Sequence, residues 1–375
     1  MTIRVPAIRV PTGDLHAIYA GVARSHRATE EEQRLFADGL LAADLRGHPT
    51  QGIGLLAYLD DLFRQGAMRF GARLEALRET VATALCEGGA NSGHVQGARA
   101  MALAIQKARR TGIGFVTVRN SGDCGMVANY SVQAADAGMI GLAMSTGPVL
   151  VAPWGGRDAA FCTNPLSLAM PAGAAEPIVI DMATSAGSMG GVVLAARDAR
   201  LLDGKSVVDA EGLYTDDPRR VILDPMDRES RMAGALLPAG PKGFGMVLLV
   251  EILSALLSGE RQWTGSGALA GDEPPPPGID GRQSRADKTR GRRAHYAQSF
   301  LALDIAVFQD PAAFKAAADR MIQTLTTAPP AQGFAAVRLH GQGTRARSED
   351  YRANGVPVRP EEWEKVAALK ARLGL

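Results

Sequence analysis

The 375-residue chain is poor in cysteine: Cys86, Cys124 and Cys162 are an odd number at wide spacing, and no C-x-x-C occurs. That excludes a disulfide framework and a sequence-encoded zinc site, and fits a reducing compartment. Charge of one sign is also lacking. With 41 basic and 39 acidic side chains and a formal net charge of +2, bulk electrostatics gives no reason to expect a nucleic-acid or membrane partner. No stretch reaches the roughly 18 uncharged apolar residues that a membrane span needs. The first residues, MTIRVPAIRVPTGDL, hold no uninterrupted apolar run of the kind that exports a protein. A soluble, cytoplasmic protein is expected. No G-x-G-x-x-G leads from a strand into a helix and no G-x-x-x-x-G-K-[ST] occurs, so the two common nucleotide-binding loops are missing as well.

What is present can build a sizeable core, since 46% of residues are hydrophobic, and the length suggests two domains sharing a cleft. Residues 1–75 read as helical. Leu15 to Arg27 is amphipathic, Thr29-Glu30-Glu31-Glu32 is a capping box for a helix running to about Leu45, and Leu55 to Phe63 has apolar residues three and four apart. Between the last two, RGHPTQGIG at 46–54 makes a corner of turn-forming residues.

From about residue 76 to 311 the pattern becomes that of a mixed α/β domain. Strands are expected in TVATALCEG, GIGFVTVRN, MIGLAMS, PLSLAMP, PIVIDMA and SFLALDIAVF, and helices over Ala98–Arg110, Met126–Ala137, Gly190–Arg197 and Phe244–Leu257. Residues 264–295, with four consecutive prolines and a basic run through Arg282, Arg285, Lys288, Arg290, Arg292 and Arg293, read as a long surface loop and candidate lid. Residues 312–375 return to helix, in Pro311–Thr326 and Glu361–Leu373, the latter expected to pack on the N-terminal helices.

Six segments carry a family resemblance in order and spacing: RGHPTQG at 46–52, VRNSGDCG at 118–125, VAPWGGR at 151–157, TNPLSLAMP at 163–171, IDMATS at 180–185 and GPKGFG at 240–245. Together they resemble the type-2 malate/L-lactate dehydrogenases, a group that includes ureidoglycolate, sulfolactate and diketogulonate oxidoreductases and reductases of cyclic imino acids. The resemblance implies a non-Rossmann nicotinamide-binding α/β fold, a helical domain made from both chain ends, and a homodimer. It also implies that NADH or NADPH is lined by Ser145, Asn164, Pro165, Asp181, Met182, Ala183, Thr184 and Lys242, and that Arg46 grips a small carboxylate substrate with its guanidinium fork. Each position also has a plain reading. Arg46 is a solvated charge at a helix end, Lys242 an exposed loop residue, Asp181 a cap and Asn164-Pro165 a turn.

Two positions depart from the family. Where members read S-H-G this chain has Thr50-Gln51-Gly52, and a second family histidine is replaced by Asp123. Losing a general acid costs about 10²–10⁴-fold in rate, and Gln51 donates hydrogen bonds without transferring protons. A ketone needs a proton as hydride adds, whereas an imine arrives already protonated and needs only a nearby anion such as Asp123. The substitutions therefore favour a 2-imino acid over a 2-oxo acid. The alternatives are a scaffold repurposed for non-redox isomerisation, cyclisation or elimination, and a silent binding protein. His48 is an exposed loop residue or a replacement imidazole. His94 reads as a helix start, and Cys124 as a small buried side chain.

Overall fold

The computed structural model describes residues 7–222, 232–260 and 296–375. The candidate lid and its basic run lie outside them. Seven strands form one mixed sheet in the order β2 (Glu75–Glu79), β3 (Thr83–Glu87), β4 (Ile113–Ser121), β10 (Tyr296–Leu303), β5 (Ile140–Ser145), β6 (Leu166–Met170) and β7 (Ile178–Met182). Among neighbouring strands only β3 and β4 run parallel, and their connection carries the crossover helix α4 (Gly93–Thr111). A second helix, α5 (Ala128–Asp136), packs beside α4, and Met101, Ala104, Val116, Tyr130, Ala143 and Phe300 fill the space between helices and sheet.

The chain ends share another core. Strand β1 (Ile8–Val10) pairs antiparallel with β11 (Val356–Val358). Helices α1 (Thr12–Ser25), α2 (Glu30–Leu45) and α3 (Leu56–Arg64) contribute Leu15, Tyr19, Phe36, Leu40 and Leu59, and α10 (Pro360–Leu373) adds Val366 and Leu369. The expected capping box at Thr29 forms, its Glu32 carboxylate receiving the Thr29 backbone N–H at 3.0 Å. The same buried carboxylate accepts from Gly71 and Asn91, which is how α2 is tied to the start of the α/β region.

Several boundaries differ from the sequence reading, each for a visible reason. Helix α4 starts at Gly93 rather than Ala98, because the turn residues of ANSG are held by the Asn91 side chain and the helix begins immediately after. Strand β10 ends at Leu303, not Phe308, since the Asp304 carboxylate caps a 3-10 turn over Ile305–Val307. Helix α7 (Gly240–Glu251) starts four residues early, with Pro241 in its first turn, and widens into a π-helical turn over Ile252–Leu256. Strand β2 gives no alternation because all five of its residues are exposed. Helix α9 (Thr344–Asn354) is too polar to show an apolar stripe. The other elements are α6 (Met189–Arg197), α8 (Pro311–Thr326) and the short pair β8 (Val207–Val208) and β9 (Ala235–Leu236).

The corner at 46–54 is shaped from below by Asp44. Its Oδ1 accepts the Ile53 N–H at 3.0 Å, and its Oδ2 accepts the Tyr19 hydroxyl at 2.5 Å. A Cβ at residue 52 would lie 2.1 Å from Oδ1, which is why Gly52 follows Gln51. Burial pushes the Asp44 carboxyl up to about 7. The folded chain therefore holds a proton that the unfolded chain releases near pH 4, and the associated stability is lost as pH rises through about 7. Thermal unfolding against pH should show a fall on the order of 4 kcal/mol across this window. Asp44→Asn should flatten it, and parallel profiles for the two proteins would show that Asp44 does not titrate there.

Candidate active site

The segments expected to line a cofactor are laced together by main-chain bonds. Ser145 N–H donates to Pro165 O at 3.1 Å, Thr184 donates to Thr163 O through both its N–H and its hydroxyl at 3.0 Å, and Ala239 N–H donates to Thr184 O at 3.1 Å. Asn164, at a left-handed φ of 38°, sends its Nδ2 to Val247 O and to Glu251 of α7. Its Oδ1 is buried without a partner among the described residues. Ser145, Asn164, Pro165, Asp181, Met182, Ala183 and Thr184 thus line one corner where β5, β6 and β7 face the start of α7. Lys242 stands exposed in the first turn of that helix, beside its N-terminal amides.

Arg46 caps the C-terminus of α2 and is half-buried. The last carbonyls of that helix are satisfied from α9: Ser348 donates to Leu45 O at 3.1 Å and Arg347 to Arg46 O at 2.9 Å. The Arg46 guanidinium feels Asp181, Asp136 and Glu176, and burial moves its pKa below the usual arginine value. Asp181, conversely, is pushed up to about 6 by burial, with Arg46 opposing the shift. Arg46 is thus a counter-charge for Asp181 on β7 as well as a candidate substrate anchor.

The corner itself separates two cavities. Pro49–Gln51 form a 3-10 turn, with Gln51 half-buried and His48 exposed. Partial desolvation, with help from Arg46 and Arg347, lowers the His48 pKa. Thr50 packs against Gly190 at the start of α6 and borders a cleft of about 440 Å³. On the other side Arg46 borders a cleft of about 490 Å³ that reaches His94.

Asp123 follows the end of β4. Its Oδ1 accepts the Gly125 N–H at 2.8 Å and its Oδ2 the Tyr296 hydroxyl at 3.2 Å, so both oxygens act as acceptors. Cys124 next to it is buried, and that burial pushes its thiol up to about 12, which makes it inert as a nucleophile. The sequence reading underrated His94 and did not include Tyr296. His94 is the second residue of α4 and 2% exposed, and it presses against Gly39 and Gly125, its ring 5.2 Å from that of Phe36. It stands between Asp123 and the Arg46 cleft. Neither ring nitrogen has a partner at good hydrogen-bond geometry among the described residues, although the Asp123 backbone and carboxylate lie close enough to oppose the lowering of its pKa by burial. The usable signal was the glycine spacing in SGHVQG and SGDCG, which leaves room for an imidazole.

A mixed α/β sheet whose strand ends meet a helix N-terminus beside a half-buried arginine defines the class, and the family follows from comparison. Residues 10–367 match the malate/L-lactate dehydrogenase family, and the chain belongs to it as an oxidoreductase. It is 29% identical to a malate dehydrogenase of Pyrococcus abyssi over 98% of this chain and 96% of that one. It is 31% identical to an L-sulfolactate dehydrogenase of Methanothermobacter thermautotrophicus over 92% of each. Among solved structures, malate dehydrogenase from Pyrococcus horikoshii superposes with a TM-score of 0.83 at 28% identity, covering 98% of this chain and 96% of that one. The Δ1-piperideine-2-carboxylate reductase of Pseudomonas syringae gives 0.78 at 25%, covering 96% and 99%.

The packing of His94 is testable with two glycines of similar backbone. Gly125 (φ 60°) and Gly138 (φ 81°) both lie in the left-handed region, but a Cβ at 125 would come within 2.5 Å of His94 Nε2 while one at 138 meets open space. Gly125→Ala should therefore cost at least about 1–3 kcal/mol more than Gly138→Ala in denaturant unfolding. Equal losses would place the imidazole elsewhere.

Proposed function

We propose that the protein is a cytoplasmic, homodimeric reductase that uses NADH or NADPH on a small 2-imino acid of the cyclic ketimine type, with 2-oxo acids as poorer substrates. The carrying observation is Asp123, standing where the family has an imidazole, with both oxygens accepting hydrogen bonds. That arrangement fixes the carboxyl group in one orientation, as a role in stabilising an iminium by charge requires. Gln51, half-buried at the corner, adds a neutral amide that does not repel a cation. Arg46 holds the substrate carboxylate, and His48 remains a candidate second-line imidazole at the mouth.

The residues fit a nicotinamide dinucleotide. Asn164 Oδ1 is a buried acceptor without a partner, which a carboxamide N–H would satisfy. Lys242 and the first amides of α7 supply positive potential for phosphates. The bound cofactor would supply the hydride. One relative, ureidoglycolate dehydrogenase (NAD(+)) of Escherichia coli O157:H7, 30% identical over 64% of each chain, names NAD(+). The homodimer reading is supported by an exposed apolar face on α7 and the π-helical turn, where Leu248, Leu249, Ile252, Leu256 and Leu257 are 36–53% exposed. Residues 1–75 and 312–375 would form the helical domain against 76–311.

Titration of the purified protein with NADH and NADPH should show binding in the micromolar range, and absence of binding at millimolar cofactor would overturn the reading. With cyclic imines as substrate, Asp123→Asn should cut kcat/KM by about 10²-fold or more while affecting 2-oxo acids much less. Gln51→His should raise turnover of 2-oxo acids. Equal effects of Asp123→Asn on both substrate types would remove the electrostatic role.

A further inference from the structure

Asp123 is held from strand β10. Between the pairs Gln298–Val118 and Tyr296–Ser121, β10 advances two residues while β4 advances three, so β4 carries a bulge. The extra residue is taken up where Asn120 adopts a left-handed φ of 50°, its N–H donated to Glu260 and its Nδ2 to Glu87. A regular ladder would set Tyr296 opposite Asn120, and the bulge sets it opposite Ser121, one residue nearer Asp123. The ring is then confined: Tyr296 is 6% exposed, and a Cβ on Gly147 would come within 2.8 Å of its Cε1. From this seat its hydroxyl donates to Asp123 Oδ2 at 3.2 Å. Gln298, fully buried on the same strand, uses both ends of its amide on the turn that leads to Asp123. It donates from Nε2 to Gly122 O at 3.0 Å, and its Oε1 accepts the Ser121 hydroxyl at 3.2 Å.

We propose that Tyr296 is a positioning residue of the reacting centre, which fixes the Asp123 carboxylate in one orientation, while Gln298 fixes the peptide that precedes it. This rests on the reading that Asp123 stands beside the reacting carbon. The torsion that turns a carboxylate about its own axis is soft, so the Gly125 amide on Oδ1 would by itself leave Oδ2 free to swing. A second bond, from a ring that is itself held in place, removes that freedom. A displacement of about 1 Å at a reacting centre costs on the order of 10²-fold in rate. The brace therefore acts on turnover, and substrate capture remains with Arg46. Phenylalanine at 296 would fill the same seat without making the bond, which separates the hydroxyl from the ring.

A double-mutant cycle on the full-length protein tests this, with Δ1-piperideine-2-carboxylate and pyruvate as substrates. Tyr296→Phe should lower kcat about tenfold or more and leave KM within about twofold. In the Asp123→Asn background the same change should cost less than about threefold, because the hydroxyl acts through the carboxylate. An equal loss in both backgrounds would mean that Tyr296 only packs, and overturns the proposal. A second readout needs no substrate: a phenol that donates to a carboxylate absorbs at longer wavelength than one that donates to an amide. Asp123→Asn should therefore shift the near-ultraviolet tyrosine band, and should shift nothing in the Tyr296→Phe background. Absence of that shift in the otherwise native protein also overturns the proposal. Kinetic coupling with pyruvate as the better substrate would refute the imine reading and leave this inference standing, whereas a preference for the imine without coupling would refute this inference alone.

Discussion

The structure depends on one strand insertion. β10 lies antiparallel between β4 and β5, pairing Phe300 with Val116 on one side and with Ala143 on the other. Without it both neighbours would be open edges in the middle of the fold, with unpaired amides and carbonyls facing an apolar core. With it, the end of β4, the end of β5 and the start of β10 converge at one end of the sheet. Asp123, Ser145 and Tyr296 sit there, drawn from segments separated by up to 173 positions in the chain.

The second determinant is how buried charge is shared around the 46–54 corner. Asp44 fixes its underside, α9 satisfies the carbonyls at the end of α2, and Arg46 is left to face carboxylates from β7 and α5. None of these contacts involves the side chains of Gln51 or Asp123. The corner is held by groups beneath it, so its outward side chains are free to change while the fold is retained. The same logic makes Asp123 acceptable. Its carboxylate closes a local turn through Gly125 and is braced by Tyr296, and it lies next to the neutral ring of His94 instead of a second charge.

Much of this was legible in the residues. The capping box at Thr29, the helical periods of α1, α2, α3 and α10, and the apolar runs of β4, β5, β6 and β7 are local patterns, and local sterics and hydrogen bonding suffice to set them. The order of the motifs sufficed to place the chain in a family. Strands β1, β2 and β11 and helix α9 were not legible, because their stability comes from pairing and docking with distant partners, and they have no periodicity of their own.

The sequence by itself determined most of the element types and the family to which the chain belongs. Only the tertiary structure decided that β10 stands between β4 and β5, that Asp123 is an acceptor on both oxygens, and that His94, apparently a mere helix start, lies buried between Asp123 and Arg46. The physical reason is that a side chain's protonation and hydrogen-bonding role depend on what surrounds it. Burial, opposing charge and committed donors are supplied by residues far away in the chain.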